Sequence, residues 1–195
     1  MSQENALKML KAFYAEGIDM TSAEATLWFR DNLTNIGYIR PTSVLEKSGA
    51  YLPRLAPGGI YFYGYKPKGS LDLPFFDRFP LTLVLQREKG GFLGLNFHYL
   101  HPMERADFFN DLSKYINDPK YDTNPGAKMA VTYSVMKKSK IGYYRPCIKR
   151  YYYSHIVSKV TAVPPVYWKF MLFLPIDRFA KMVRDQVWKE SRRMI

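Results

Sequence analysis

Residues Pro80–Leu100 read PLTLVLQREKGGFLGLNFHYL. Two apolar runs flank a polar turn at Arg87–Gly91, the pattern of a β-hairpin. Just upstream, Gly58–Gly69 reads GGIYFYGYKPKG, an aromatic run bounded by Gly and Pro that reads as a further strand. The middle of the chain is therefore β, and the rest is read outward from it.

Toward the N-terminus the pattern is helical. Leu7, Leu10 and Tyr14 share a helix face, and Gly17 follows as a stop. Thr21 with Glu24 forms a capping-box pattern ahead of Leu27, Trp28, Phe29 and Leu33, and Ser43 with Glu46 forms a second. Pro53, Pro57, Gly58 and Gly59 mark a linker. This predicts a helical N-terminal arm over 1–58 and an α+β core domain over 59–195.

Toward the C-terminus, Pro102 opens a helix with Ala106, Phe109 and Ile116 on one face, ended by Asp118-Pro119. A loop at 118–126 precedes a predicted helix over Ala127–Lys138. In KVTAVPPVYWKFMLFLP (159–175) the two prolines separate two β-prone segments, so a turn or sheet edge is expected there. Pro175 is expected to start a last helix carrying Ile176, Phe179, Met182, Val183 and Val187, with Asp177 in its first turn and Arg192 and Arg193 near its end. The resulting fold class is α+β, with a small antiparallel, barrel-like sheet from Ile60–Leu100 and Ser158–Leu174 and helices around it. Two short echoes, GYIRP at 37–41 with GYYRP at 142–146 and DRF at 77–79 with DRF at 177–179, do not establish a repeat.

Charge is unevenly spread. The 195 residues carry a net charge of +12. Residues 1–126 hold 14 Lys+Arg and 14 Asp+Glu, whereas 127–195 hold 15 and 3, so the whole excess lies in the last 69 residues. Such asymmetry points to an anionic partner for that third, either nucleic acid or an acidic protein surface. The single cysteine, Cys147, excludes an internal disulfide and fits a reducing compartment. The N-terminal residues show no signal-peptide pattern, and the apolar window Tyr167–Ile176 is too short to span a bilayer.

Catalytic chemistry finds little purchase. There is no GxxxxGK[ST] and no GxGxxG opening a helix, so no phosphate cradle is expected. One Cys and three His do not make a zinc set, and His98 and His101 lack a third ligand nearby. Cys147 and His155 are too far apart on a helix to form a nucleophile–base pair. Asp72 and Asp77 read as turn carboxylates. No cofactor and no metal are expected.

The segment Gly142–Lys159, GYYRPCIKRYYYSHIVSK, stands apart, with five tyrosines and four cations. Aromatics beside cations serve protein interfaces and also hold single-stranded nucleic acid. The leading reading is an interface made by Tyr143, Tyr144, Arg145, Arg150, Tyr151 and Tyr153, with Cys147 and Ile148 turned inward and the arginines meeting a neighbour's carboxylates. Candidate phosphate contacts are Lys137, Lys138, Lys140, Lys149, Arg192 and Arg193.

The segments GGIYFYGYKPK, LPFFDRFPLTLVL, GGFLGLNFHYLHPMERADFFNDL, CIKRYYYSHIVSKV and VWKESRRMI resemble a family of small virion-associated proteins of large contractile-tailed, T4-like bacteriophages, over about residues 59–195. The resemblance implies a virion protein made and assembled in the host cytoplasm, and it carries over no catalytic residue. The function expected is a non-enzymatic structural subunit of the baseplate, tail or neck, partnered by other virion proteins. The alternative is a DNA-binding protein associated with the phage genome ends or with packaging.

Overall fold

A computed structural model describes residues 3–19, 22–34, 39–47, 55–116 and 144–193. Three helices come first: α1 (Gln3–Ala15), α2 (Ala23–Leu33) and α3 (Pro41–Lys47). Strands β1 (Ile60–Tyr65), β2 (Phe76–Asp77), β3 (Leu81–Glu88) and β4 (Gly91–Asn96) follow, then α4 (Pro102–Ile116). The last part holds β5 (Ile148–Tyr152), β6 (Ile156–Val163), α5 (Trp168–Phe173), β7 (Phe179–Ala180) and α6 (Arg184–Arg193).

The hairpin read from Pro80–Leu100 is β3–β4, turning at Lys89-Gly90. Gly90 takes a φ of +76°, a conformation that side chains disfavour, so the glycine itself makes the tight reversal possible. The hairpin sits at the centre of an antiparallel sheet of order β5-β4-β3-β1-β6. The two distant β regions therefore pair in one sheet, and the class is α+β.

The expectation of a barrel is corrected to an open sheet, since no ladder joins β5 to β6 among the described residues. The sheet is nevertheless strongly curled. Its two edge strands are linked by only Tyr153–His155, a link that spans at most about 14 Å. In a flat sheet four inter-strand gaps would set those edges about 19 Å apart. Two bonds tie the converging end together: the Lys66 amide donates to the His155 carbonyl (3.0 Å), and the Tyr152 amide donates to the Tyr65 hydroxyl (3.1 Å).

Curling gives the sheet two buried faces. Ile60, Phe62, Leu81, Leu83 and Leu95 pack against the helices, in one core with Phe13, Phe29, Leu33, Leu45, Phe109 and Leu172. Residues from α1, α2 and α3 thus share that core with the sheet. The alternate positions Tyr61, Tyr63 and Tyr65 join Val84, Phe92, Tyr151 and Val160 in a second, smaller core on the other face. β1 is buried along its whole length for this reason, and its period of two survives only as aromatic hydroxyls on one side.

Other local expectations shift. The cap of α2 is Ser22, whose hydroxyl accepts the Ala25 amide (3.1 Å); Thr21 lies outside the described residues. α3 begins at Pro41, so Ser43 sits inside the helix and donates to the Arg40 carbonyl. Residues 168–173, expected as sheet, are helical. Pro164 and Pro165 remove two amide donors and end β6, and Trp168, Met171 and Leu172 then fall at helical spacing onto the core. The last helix starts at Arg184 and not at Pro175, because Phe179–Ala180 is drawn into a ladder with Phe76–Asp77. The two DRF triplets meet in that ladder: Asp77 pairs with Phe179, and the Arg78 amide donates to the Arg178 carbonyl (2.7 Å). The predicted helix over Ala127–Lys138 falls outside the described residues.

Candidate functional site

β5 runs at the sheet edge in register with β4, Gly94 opposite Lys149 and Phe92 opposite Tyr151. Side chains alternate along β5, Lys149 and Tyr151 with Arg150 and Tyr152, and because β5 is an edge strand all four border one cavity. The close approach of the two strands depends on Gly91, where a Cβ would come within 2.0 Å of the Tyr151 carbonyl oxygen.

Between β5, the end of β1 and the 67–77 segment lies a cavity of about 260 Å³. Its inner wall is aromatic, made by the buried Tyr65, Phe75, Tyr99 and Tyr151. Tyr152, Lys149 and the exposed Lys68 and Arg150 complete it toward solvent. The 67–77 wall is held from the C-terminal side. Lys181 donates its ammonium to the carbonyls of Leu71 (2.5 Å) and Leu73 (2.8 Å), and the β2–β7 ladder anchors the far end of the segment. Lys181 is also the one described non-glycine residue with positive φ (67°), a conformation held against local preference by these contacts.

The charges of the site are unevenly satisfied. Asp77 lines the cavity, but its carboxylate is occupied from within: it accepts from Asn96 Nδ2 (2.9 Å), His98 Nδ1 (2.7 Å) and the Phe79 amide (3.0 Å). Arg150 bridges Glu88 (2.8 Å), and its guanidinium lies 5.1 Å from the centre of the Tyr152 ring. Lys149 differs. Its ammonium sits 4.8 Å over the Tyr99 ring and forms no salt bridge among the described residues. Burial pushes its pKa below the ordinary lysine range. A ring face offsets only part of the lost hydration of an ammonium, so the position favours an incoming anion.

The predicted interface residues scatter. Tyr144 is buried, edge-on to Phe108. Tyr151 is 4% exposed, stacked on Phe92 at 5.3 Å and edge-on to Tyr65 at 4.9 Å. Arg145 is exposed, and Tyr153 is 42% exposed beside Phe92. Arg150 meets a carboxylate of its own chain. Cys147 is buried, its thiol pushed up to about 11 by desolvation, and Ile148 packs against the main core.

Of the candidate phosphate contacts, Lys149 lines the cavity, Arg192 pairs with Glu104 and Arg193 with Glu190. Tyr143, Lys137, Lys138 and Lys140 fall outside the described residues. Sequence reasoning missed Lys68, Tyr65, Tyr99 and Tyr152. The Lys-Pro-Lys of 66–68, and the spacing of two between Arg150 and Tyr152, are the signals that carried them.

The described residues hold no group of three or more His, Cys, Asp or Glu able to bind a metal. None of their helices is long and apolar enough to cross a membrane. The His155 ring engages the Lys66 carbonyl through Nδ1 (3.0 Å), beyond the far end of β5 from Cys147, whose thiol is buried in the main core.

A family model described as the phage T4 terminal DNA protecting protein matches residues 8–191. No curated protein and no solved structure matches the chain. The match carries the phage likeness through the N-terminal helices, which the resemblance over 59–195 does not cover. It overturns the expectation of a baseplate, tail or neck subunit and favours the alternative at the genome ends. The family's description is protective, not catalytic, in agreement with a non-enzymatic chain. With 8–191 matched, the chain belongs to the phage T4 terminal DNA protecting protein family.

Proposed function

We propose that this protein binds the ends of the linear phage genome and shields them, remaining with the packaged DNA in the virion among other virion proteins. The observation that carries the reading is the tyrosine-walled cavity with Lys68, Lys149 and Arg150 around it. It combines cations for phosphates with ring faces for bases, the pairing by which single-stranded ends are held. The excess of +12 in the last 69 residues adds a longer-range attraction for DNA.

Competition between a linear duplex and a covalently closed circle of the same sequence tests the proposal. End binding predicts that linear DNA competes strongly, that protein per molecule saturates at a small number per end, and that bound ends resist an exonuclease. Affinity is expected to fall with salt at a log–log slope of about −0.9 per phosphate neutralised. Equal competition by circle and linear DNA would reject end recognition.

A further inference from the structure

We propose, building on the reading of DNA-end binding, that the cavity receives the terminal nucleotide of one strand and recognises its phosphomonoester through Lys149, with Tyr152 as the platform for the base.

Size limits the occupant. A cavity of about 260 Å³ lies just below the usual range of small-ligand sites, about 300–1,000 Å³, a size that suits one nucleotide better than a paired duplex end. The terminal residue must fray and turn in, which is the least costly unpairing a duplex offers because only one stacking neighbour is lost.

Charge sets the recognised group. Lys149 is a half-buried cation over a tyrosine ring, with no carboxylate bridging it among the described residues. Asp77, the carboxylate in the cavity wall, has its oxygens engaged by Asn96, His98 and the Phe79 amide. The exposed Lys68 stands on the opposite wall. A terminal phosphomonoester carries a charge of about −1.5 to −2 at neutral pH, more than the single charge of an internal diester. It is therefore the DNA phosphate that gains most from these lysines.

The base has a prepared surface. Tyr152 is half-buried, and Arg150, fixed by Glu88, lies over its ring. Ring and guanidinium are both planar groups on which any base can stack, so the site is indifferent to sequence.

The test uses the full chain and short duplexes closed by a hairpin at one end, so that each carries one free end. The free end bears a 5′-phosphate, a 3′-phosphate or hydroxyls only, and affinity is read by fluorescence polarisation. A phosphorylated end should bind at least about tenfold more tightly than the hydroxyl end, as expected for a charge-assisted contact. The arm that gains identifies which terminus enters. Lys149→Met should abolish the preference, so that phosphorylated and hydroxyl ends bind within about twofold of each other whatever the loss common to both, and Lys149→Arg should keep part of it.

Should Lys149→Met fail to fold, competition by a mononucleotide 5′- or 3′-phosphate against the phosphorylated duplex on the native protein decides the same question, with the nucleoside as control. Binding to every free end with no phosphate preference would overturn this inference and leave end recognition standing. Failure to distinguish ends from closed DNA would remove both.

Discussion

Tyr151 belongs to a segment whose composition suggests a surface, yet its ring is enclosed by other rings. It is stacked on Phe92 at 5.3 Å and edge-on to Tyr63 at 5.8 Å and Tyr65 at 4.9 Å. Tyr151→Ala removes the ring from all three contacts. Large aromatic-to-alanine changes in cores cost about 3–5 kcal/mol, and each lost ring pair carries about 0.5–1.5 kcal/mol beyond its area. Because one side of Tyr151 faces the cavity, part of the void opens to solvent, and the lower end, about 3 kcal/mol, is expected. For a chain of this length that lowers the melting temperature by about 6–12 °C. Tyr151→Phe keeps the ring and its three aromatic contacts, and should cost no more than about 1 kcal/mol. Tyr153→Ala, at a ring 42% exposed, should cost less than about 1 kcal/mol. Thermal and urea unfolding followed by circular dichroism measure all three. A Tyr151→Ala melting temperature within about 2 °C of the native protein would refute the assignment of Tyr151 to the second core.

Gly91→Ala places a methyl group 2.0 Å from the Tyr151 carbonyl oxygen and 3.2 Å from the Tyr152 Cα; backbone atoms cannot yield without parting β4 from β5. A loss of more than about 2 kcal/mol is expected, with faster hydrogen exchange across Ile148–Tyr152 and weaker end binding. Stability should also depend on alkaline pH with a change of sign. Burial pushes the Lys169 amine from its ordinary 10.5 down to about 8, so from about pH 8 to 10.5 the unfolded chain binds more protons there and stability rises with pH. Tyr63, Tyr99 and Tyr151 are pushed above 10 by burial, so above about pH 10 the unfolded chain loses protons that the folded chain keeps, and stability falls. Urea midpoints at steps from pH 7 to 11 should pass through a maximum near pH 9–10; a monotonic fall from pH 8 would contradict the desolvation of Lys169.

Some of this architecture is written locally. The alternation of Leu81–Leu85 and Phe92–Leu95 around Lys89-Gly90 specifies a hairpin, since a strand's period and a glycine turn act over neighbouring residues. Pro102 starts α4 for an equally local reason, its missing amide falling where a helix has no acceptor to give. The membership of Gly142–Lys159 in a basic-aromatic element is legible from composition alone. Which of its tyrosines face outward is not. That depends on β5 pairing with β4, over fifty residues earlier in the chain, and on a sheet curled enough to close over Tyr151.

Long-range packing also explains the other departures from local pattern. Trp168–Phe173 has the residues of a strand, and it is helical because β6 ends at two prolines and the core accepts Trp168 and Leu172 at helical spacing. Asp77 looks like a turn carboxylate until Asn96 and His98, from the end of β4 and just beyond it, fold onto it. The cavity draws on Tyr65–Asp77, Tyr99 and Lys149–Tyr152, three segments that no local pattern relates. The hairpin, its turn and the place of the charge can be read along the chain, because neighbouring residues set them. The tertiary structure alone decided that Lys149 is half-buried over a ring with no salt bridge among the described residues, because desolvation is a property of what long-range packing brings around a group.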